Sequence, residues 1–315
     1  MPIDNSVMTR IHETKLPNAF QCVACYDRHA PIENFLVQKQ FPLMRCRKCG
    51  LGYLDVSRES SSDQAFDEYW TEVNQSIYSS PAVVAELTKK YLRYFHMVSD
   101  SVPNRKFLDV GSGAGISIGV AANLGFSPLG VEPSEKAVAL SKRLYSVPVE
   151  QGLVSAVDNF PRDFGLLALW DVIEHVSDPE GLVRDCASHL AERGVILLET
   201  PDEGALLRRL VRFFGLTSLP FLDQRSNIYY RAHRFYFTRN AIVELLRRCG
   251  FTDVQCIGER TMYAKELLKK ELYGNVSPVK AFLLKQLFRI LAHAPFMANK
   301  MVVMAIKNGN HHQTS

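Results

Sequence analysis

Cys22-Val-Ala-Cys25 and Cys46-Arg-Lys-Cys49 are two C-x-x-C pairs with twenty residues between them. That spacing matches a zinc ribbon, in which two tight knuckles bring four thiolates, Cys22, Cys25, Cys46 and Cys49, around a tetrahedral site; the plainer reading is four unrelated reduced cysteines or a redox C-x-x-C. Four protein ligands keep no position open for a substrate, so the zinc expected here is structural. It would stabilise a segment too short to bury a core of its own. Further along, Asp109 sits in Phe107-Leu-Asp-Val-Gly-Ser-Gly-Ala-Gly115, which carries glycines at Gly111, Gly113 and Gly115 with Ser112 between the first two. Glycines so placed let the backbone turn tightly and present N–H groups to a ligand where the next helix begins. Glu132 ends the run Pro128-Leu-Gly-Val-Glu132, with Pro133 after it. An acid at the end of such a strand is placed to accept hydrogen bonds from two ribose hydroxyls. Two later phrases, Asp171-Val-Ile-Glu-His-Val-Ser-Asp-Pro179 and Arg231-Ala-His-Arg-Phe-Tyr-Phe-Thr238, contribute Glu174, His175 and His233, side chains that can take up a proton.

These residues need a scaffold, and the hydrophobic pattern supplies one. Residues 107–110 read as a buried strand running into the glycine turn, and residues 128–132 as a second strand followed by a helical run over 135–144. A short third strand is expected at 147–150, a buried fourth at 164–170 and a fifth at 194–201, with a helix over 179–191 between the last two. Such alternation is that of a doubly wound α/β domain. In these sheets ligands bind beyond the carboxyl ends of the strands, which gathers Asp109, the glycines, Glu132, Asp171 and His175 along one edge. A long helix is expected over 81–98, and Thr238 is placed to cap a helix over 239–249. The last strand is expected at 300–306.

The glycine turn suits two cofactor classes. A dinucleotide fingerprint, G-x-G-x-x-G, would need a sixth glycine where Ile116 stands. The acid and alternate glycines instead resemble motif I of the class I S-adenosylmethionine (SAM) methyltransferases. The phrase at 171–179 resembles the LEHV-x-DP segment of their small-molecule members, and 231–238 resembles the H-x-x-x-F-T passage of ubiquinone-type enzymes. The resemblance spans roughly residues 85 to 307 and implies a Rossmann-like, seven-stranded α/β sheet binding SAM. It implies that Asp109 and the turn hold the cofactor's amino-acid end, that Glu132 holds the ribose, and that Asp171 faces the methionine portion. Related enzymes with such a ribbon fold a tyrosine over the cofactor, and Tyr69, with Trp70 beside it, is the candidate here. His175, His233 and Glu174 are the candidates for removing an acceptor proton. Each also has a plainer reading: the histidines as loop-holding or surface residues, and Tyr69 and Trp70 as docking aromatics.

The 315 residues then divide into a zinc ribbon over 1–62, a linker and capping helices over 63–100, and the methyltransferase domain over 101–307. That domain carries a lid insertion at 203–230 and a helical insertion at 261–297, and a disordered tail is expected at 308–315. The insertion at 261–297 places Val279, Leu283, Leu287, Ile290 and Leu291 on one stripe, which suits core packing, a dimer face or a membrane surface. With 37 basic and 33 acidic residues the net charge of +4 is mild for a dedicated nucleic-acid binder. Seven cysteines, four of them in the ribbon, leave Cys186, Cys249 and Cys256 as reduced thiols of a cytoplasmic protein. Met1 to Lys15 is polar, with no apolar export core. The expected activity is methyl transfer to oxygen or carbon of a small molecule, a glycan or a secondary-metabolite intermediate, by a monomer or homodimer. The rivals are an RNA methyltransferase, kept alive by Arg45, Arg47, Lys48, Arg208, Arg209 and Arg212, and a non-catalytic scaffold of the same fold.

Overall fold

The computed structural model describes residues 21–29, 32–37, 41–54, 70–157, 160–206, 208–209, 229, 233–260 and 298–309. Tyr69, the linker at 55–63, most of the 203–230 insertion and all of 261–297 lie outside the described residues.

Seven strands form the central sheet: β4 (Lys106–Val110), β5 (Ser127–Glu132), β6 (Val149–Gln151), β7 (Phe164–Trp170), β8 (Leu190–Pro201), β10 (Phe251–Glu259) and β11 (Lys300–Lys307). Their order is β10-β11-β8-β7-β4-β5-β6. The five from β8 to β6 are parallel to one another, and β11 runs antiparallel between β8 and β10. The order reverses at β4, the switch point where an open α/β sheet forms its ligand crevice. The antiparallel run of β11 matters too: its first residue, Lys300, lies opposite Pro201 at the carboxyl edge of the parallel strands.

The helices follow from local sequence. α4 (Glu135–Tyr145) starts where the Ser134 hydroxyl accepts the Ala137 N–H at 3.2 Å. α5 (Pro179–His189) starts behind Asp178, with proline in its first turn, where a missing N–H costs nothing. α3 (Ile116–Asn123) opens straight from left-handed Gly115 and buries Ile116, Ile118, Val120 and Ala121. α2 (Pro81–Val98) buries only Tyr91, Tyr94, Phe95 and Val98, one face of its length, and α1 (Glu72–Ser79) precedes it.

Strand alternation sends side chains to two cores. Phe107, Leu166, Ala168 and Leu197 meet Tyr94, Phe95 and Ala121 on one face of the sheet. Leu108, Val110, Leu167, Leu169, Ile196 and Leu198 meet Val183, Ile242 and Leu245 on the other. A second sheet, of order β1-β2-β3-β9, holds β1 (Ile32–Val37), β2 (Phe41–Arg45) and β3 (Gly52–Leu54) from the cysteine-rich segment. Its fourth strand, β9 (Phe235–Tyr236), comes from the far side of the sequence, just before α6 (Arg239–Arg248). The four cysteines belong to the same apolar cluster as Phe237, Ile242 and Leu245, so the small sheet shares a core with the large one.

Candidate active site

The glycine turn leaves β4 with Gly111, Gly113 and Gly115 all at positive φ, of +71°, +53° and +78°. A Cβ on Gly111 would stand 2.6 Å from the Val172 side chain, and one on Gly113 would stand 3.1 Å from the Trp70 ring. The N–H groups of Gly111 and Ser112 donate to the Val131 carbonyl at 2.8 and 3.2 Å, which ties the turn to β5. Glu132, at the end of β5, accepts from Gly113 N–H at 2.9 Å and from Ser134 N–H at 3.0 Å, one bond to each carboxylate oxygen. A carboxylate so placed at the end of the second strand is the kind of acceptor a pair of ribose hydroxyls needs. Asp109 is buried, with one oxygen bonded by the Ser117 hydroxyl. Its other oxygen, Oδ1, is buried with no hydrogen-bond partner among the described residues. Burial raises the Asp109 carboxyl to about 7, against the Ser117 bond and with help from Glu132. A buried, unsatisfied acceptor beside a glycine turn fits a cationic amino group, so these residues suit the amino-acid end of SAM. Trp70 packs over this turn and against Tyr78, with ring centroids 5.2 Å apart.

A second group of side chains sits beyond β7. The His175 and His233 rings meet edge to face at 4.7 Å, and His233 meets Tyr236 at 5.6 Å. A carboxyl oxygen of Glu174 and a ring nitrogen of each histidine all lie within 4.8 Å of one another. Burial holds the His233 imidazole well below the usual histidine range, with His175, Arg208 and Lys300 adding to the effect. Glu174 is fully buried; burial and then Asp171 push its carboxyl well up, while Thr200 Oγ1 donates to it at 3.1 Å. A carboxyl kept protonated is suited to holding its neighbours in place rather than to abstracting a proton. Asp171 has a left-handed backbone, φ +57°, and pairs with Lys300. Burial opposes its ionisation, but Lys300 and Lys90 outweigh burial and lower its pKa. Lys90 pairs in turn with buried Glu199, and Lys300 lies 3.8 Å from the same carboxylate. Two cations and two carboxylates thus meet at the strand ends, beside a Glu174 carboxyl whose ionisation burial and Asp171 oppose.

The four cysteines are buried and their sulfurs lie within 4.8 Å of one another. Cys22 to Cys49 and Cys25 to Cys46 both measure 3.6 Å, close to the roughly 3.8 Å edge of a tetrahedron with zinc–sulfur bonds of about 2.3 Å. Burial pushes the Cys25 thiol up to about 11, and the bond to Cys22, followed by burial, pushes Cys49 up as well. As thiolates, four sulfurs this close would need a cation between them, and zinc fits the set.

Of the residues read from sequence, Asp109, the glycines, Ser112, Glu132 and Pro133 gather at the switch point, and Glu174, His175 and His233 gather beyond β7. Asp171 stands beside the second group through Lys300 rather than apart from it. Arg208, one of the basic residues that kept an RNA substrate in view, is buried: it is 4% exposed and donates to the Asp202 and Asn299 carbonyls at 3.1 and 2.9 Å. Lys90, Lys300, Glu199 and Thr200 were not anticipated. A lysine opening an apolar final strand was the available signal for Lys300, once that strand is known to run antiparallel.

A seven-stranded sheet with one reversed strand, a glycine turn at its switch point and an acid on the adjoining strand make up the architecture of a class I methyltransferase domain. Residues 83–256 match the model of a family described as a methyltransferase domain, and the chain belongs to that family. Over 107 residues it is 34% identical to a ubiquinone biosynthesis O-methyltransferase of Thiobacillus denitrificans, covering 32% of this chain and 46% of that protein. Another enzyme of that name, from Glaesserella parasuis, is 23% identical over 175 residues, covering 52% of this chain and 71% of that protein. The first of these matches spans about half of the relative's length. A SAM-dependent methyltransferase from Archaeoglobus fulgidus superimposes with a TM-score of 0.51 at 17% identity, covering 76% of this chain and 100% of that one. That likeness concerns the fold. Among the described residues no helix is long and apolar enough to cross a membrane.

Proposed function

We propose that the protein transfers a methyl group from SAM to an oxygen or carbon of a small molecule, with a glycan or secondary-metabolite intermediate included in that class. The observation that carries this reading is the pair of imidazoles, 4.7 Å apart, beyond the same sheet edge as the glycine turn. Bound SAM supplies a methyl group on a positively charged sulfur, open to in-line displacement, so the protein's tasks are to position the acceptor and to remove its proton. Glu132 offers two carboxylate oxygens to the ribose, Asp109 Oδ1 an acceptor to the amino group, and Trp70 a cover that excludes water from the turn. His233, kept neutral by burial, has a ring nitrogen free of its proton at neutral pH and takes the proton of the acceptor's O–H or acidified C–H. His175, half-buried and edge-on to His233, is placed to pass that proton outward. Protonated Glu174 holds the pair. The matches to ubiquinone biosynthesis O-methyltransferases support an oxygen acceptor. The burial of Arg208 removes part of the basic cluster that an RNA substrate would use.

Calorimetric titration with SAM and S-adenosylhomocysteine, with NADH as control, tests the cofactor. Micromolar binding of the first two alone is expected, weakened about 30- to 150-fold by Glu132→Ala, the scale of charge-assisted hydrogen bonds worth about 2–3 kcal/mol. Turnover on a panel of phenols and nucleotide sugars tests the acceptor. His233→Ala should lower kcat about 10²- to 10⁴-fold with S-adenosylhomocysteine affinity unchanged. Binding of NADH in place of SAM, or full turnover by His233→Ala, would overturn the corresponding part.

A further inference from the structure

The cysteine ribbon and the histidine pair share a strand. β9 pairs with β3 of the ribbon, Gly52 opposite Tyr236 and Tyr53 opposite Phe235. The same segment is tied to the active site on its other side: the N–H groups of Arg234 and Phe235 both donate to the Glu174 carbonyl, at 2.7 and 3.1 Å. Phe237 bridges Asp202 at the end of β8, and its carbonyl accepts the Glu203 N–H at 2.9 Å. His233 is the residue before this tie and His175 the residue after Glu174.

Two side chains fasten the knuckles to the same region. Thr238 donates from its hydroxyl to the Cys49 carbonyl at 2.6 Å and accepts the Ala241 N–H at 3.1 Å, so one residue both caps α6 and holds the second knuckle. Arg248, at the other end of α6, donates to the Val23 and Ala24 carbonyls at 3.0 and 2.7 Å and covers the Tyr26 ring at 3.1 Å. Within the second knuckle, Cys46 N–H donates to the Leu51 carbonyl and Gly50 N–H to the Cys46 carbonyl, at 2.9 and 3.1 Å, immediately before β3 begins. A strand of two residues is ordered only by its neighbours. β9 has the ribbon on one edge and the Glu174 loop on the other. Among the described residues, the backbone bonds that shape the glycine turn run instead to Val131 and Glu132.

We propose that the zinc-loaded ribbon is a positioning element for the acceptor side of the active site. Metal loading orders the second knuckle, Thr238 and β9 carry that order to Glu174, and the His175–His233 pair takes its geometry from it. The cofactor turn is formed without this support. The functional meaning rests on the reading of the histidine pair given above; the coupling itself rests only on the contacts named here.

The test uses the full chain, zinc-loaded or stripped with a chelator, and the variants Thr238→Val and Thr238→Ser. Zinc content, S-adenosylhomocysteine affinity by calorimetry and the imidazole NMR resonances of His175 and His233 are measured in each. Stripping zinc should shift both sets of imidazole resonances while S-adenosylhomocysteine binds within about threefold of the loaded protein. Thr238→Val, still holding zinc, should shift them in the same direction, and Thr238→Ser, which restores the hydroxyl, should leave them at their original positions. Chelation keeps the cap of α6 intact, so agreement between the two treatments assigns the effect to the ribbon and not to the helix end. If Thr238→Val does not fold, chelation decides alone. Unmoved resonances in the stripped protein would overturn the coupling, and so would a parallel collapse of S-adenosylhomocysteine affinity, which would make the ribbon a support of the whole fold. Wild-type protein that binds no S-adenosylhomocysteine would overturn the methyltransferase reading, while the resonances would still test the coupling. Full turnover by His233→Ala would remove the base assignment in the same independent way.

Discussion

Asp109 and Glu174 are both buried carboxyls with raised pKa values, yet they face different ligands and respond differently to pH. Asp109 titrates at about 7 in the free protein, and a cationic amino group beside it favours the ionised form. Binding of S-adenosylhomocysteine should therefore release protons and tighten about tenfold between pH 6 and pH 8, the change in the ionised fraction of a group titrating at 7. Asp109→Asn should flatten that rise when the two proteins are titrated side by side; identical profiles would detach Asp109 from the cofactor. At Glu174 the Lys300 charge favours ionisation, but burial and Asp171 outweigh it. Folding raises its pKa, so the native state keeps a proton that the unfolded chain loses above its ordinary value of 4.5. The native state then binds more protons than the unfolded one, and stability falls as pH rises from 4.5 toward the folded value. Glu174→Gln removes that loss. Denaturant unfolding should find the variant more stable by about 1 kcal/mol at pH 8 and no more stable at pH 4. A variant less stable at pH 8 would mean that Glu174 is ionised in the native protein.

At the scale of elements, sequence and structure part company at particular places. The strands at 107–110, 128–132 and 164–170 were legible because each is a short apolar run that ends in glycine or an acid. Thr238 was legible as a helix cap, and the structure gives it that role. Its second bond, to the Cys49 carbonyl 189 residues earlier, has no local signature. β9 was illegible for the same reason: Phe235 and Tyr236 form a strand only because β3 lies beside them. Glu174 and His175 were legible as chemistry but not as a buried acid against a half-buried imidazole, since burial is set by the β8 and β9 segments that close over them. The fastening of α6 to the first knuckle was equally hidden. Arg248 joins it through two carbonyls, the Tyr26 ring and an ion pair with Glu180 at 2.7 Å. Burial opposes ionisation of Glu180, but bonds from Tyr26, Arg184 and Arg248 hold it down at about 2, so this joint persists in mild acid. Arg248→Ala removes charge-assisted bonds to two carbonyls and should cost about 2–3 kcal/mol. Its expected mark is local: faster amide exchange over residues 22–29, with exchange over 107–132 unchanged. Equal acceleration in both segments would mean that the arginine supports the fold as a whole.

At the scale of the molecule, two sheets of very different size are built on a common core. The three ribbon strands alone offer too little apolar surface to stay folded, and a structural zinc on the four cysteines would supply what a small segment lacks. The cysteines nevertheless pack in one cluster with Phe237, Ile242, Leu245 and Leu246, which belong to the large domain. A separate ribbon on a tether would melt by itself, and metal removal would leave the rest of the thermogram where it was. A ribbon that shares its core with α6 ties the two transitions together, because its loss uncovers apolar surface of the large domain. The zinc-loaded chain should therefore unfold in a single calorimetric transition. Chelation should lower its midpoint by roughly 5–10 °C, the equivalent of about 2–4 kcal/mol in a domain of this size. A small early transition that disappears on chelation, with the main peak unmoved, would instead identify the ribbon as an independent bead and confine the shared core to a passive contact.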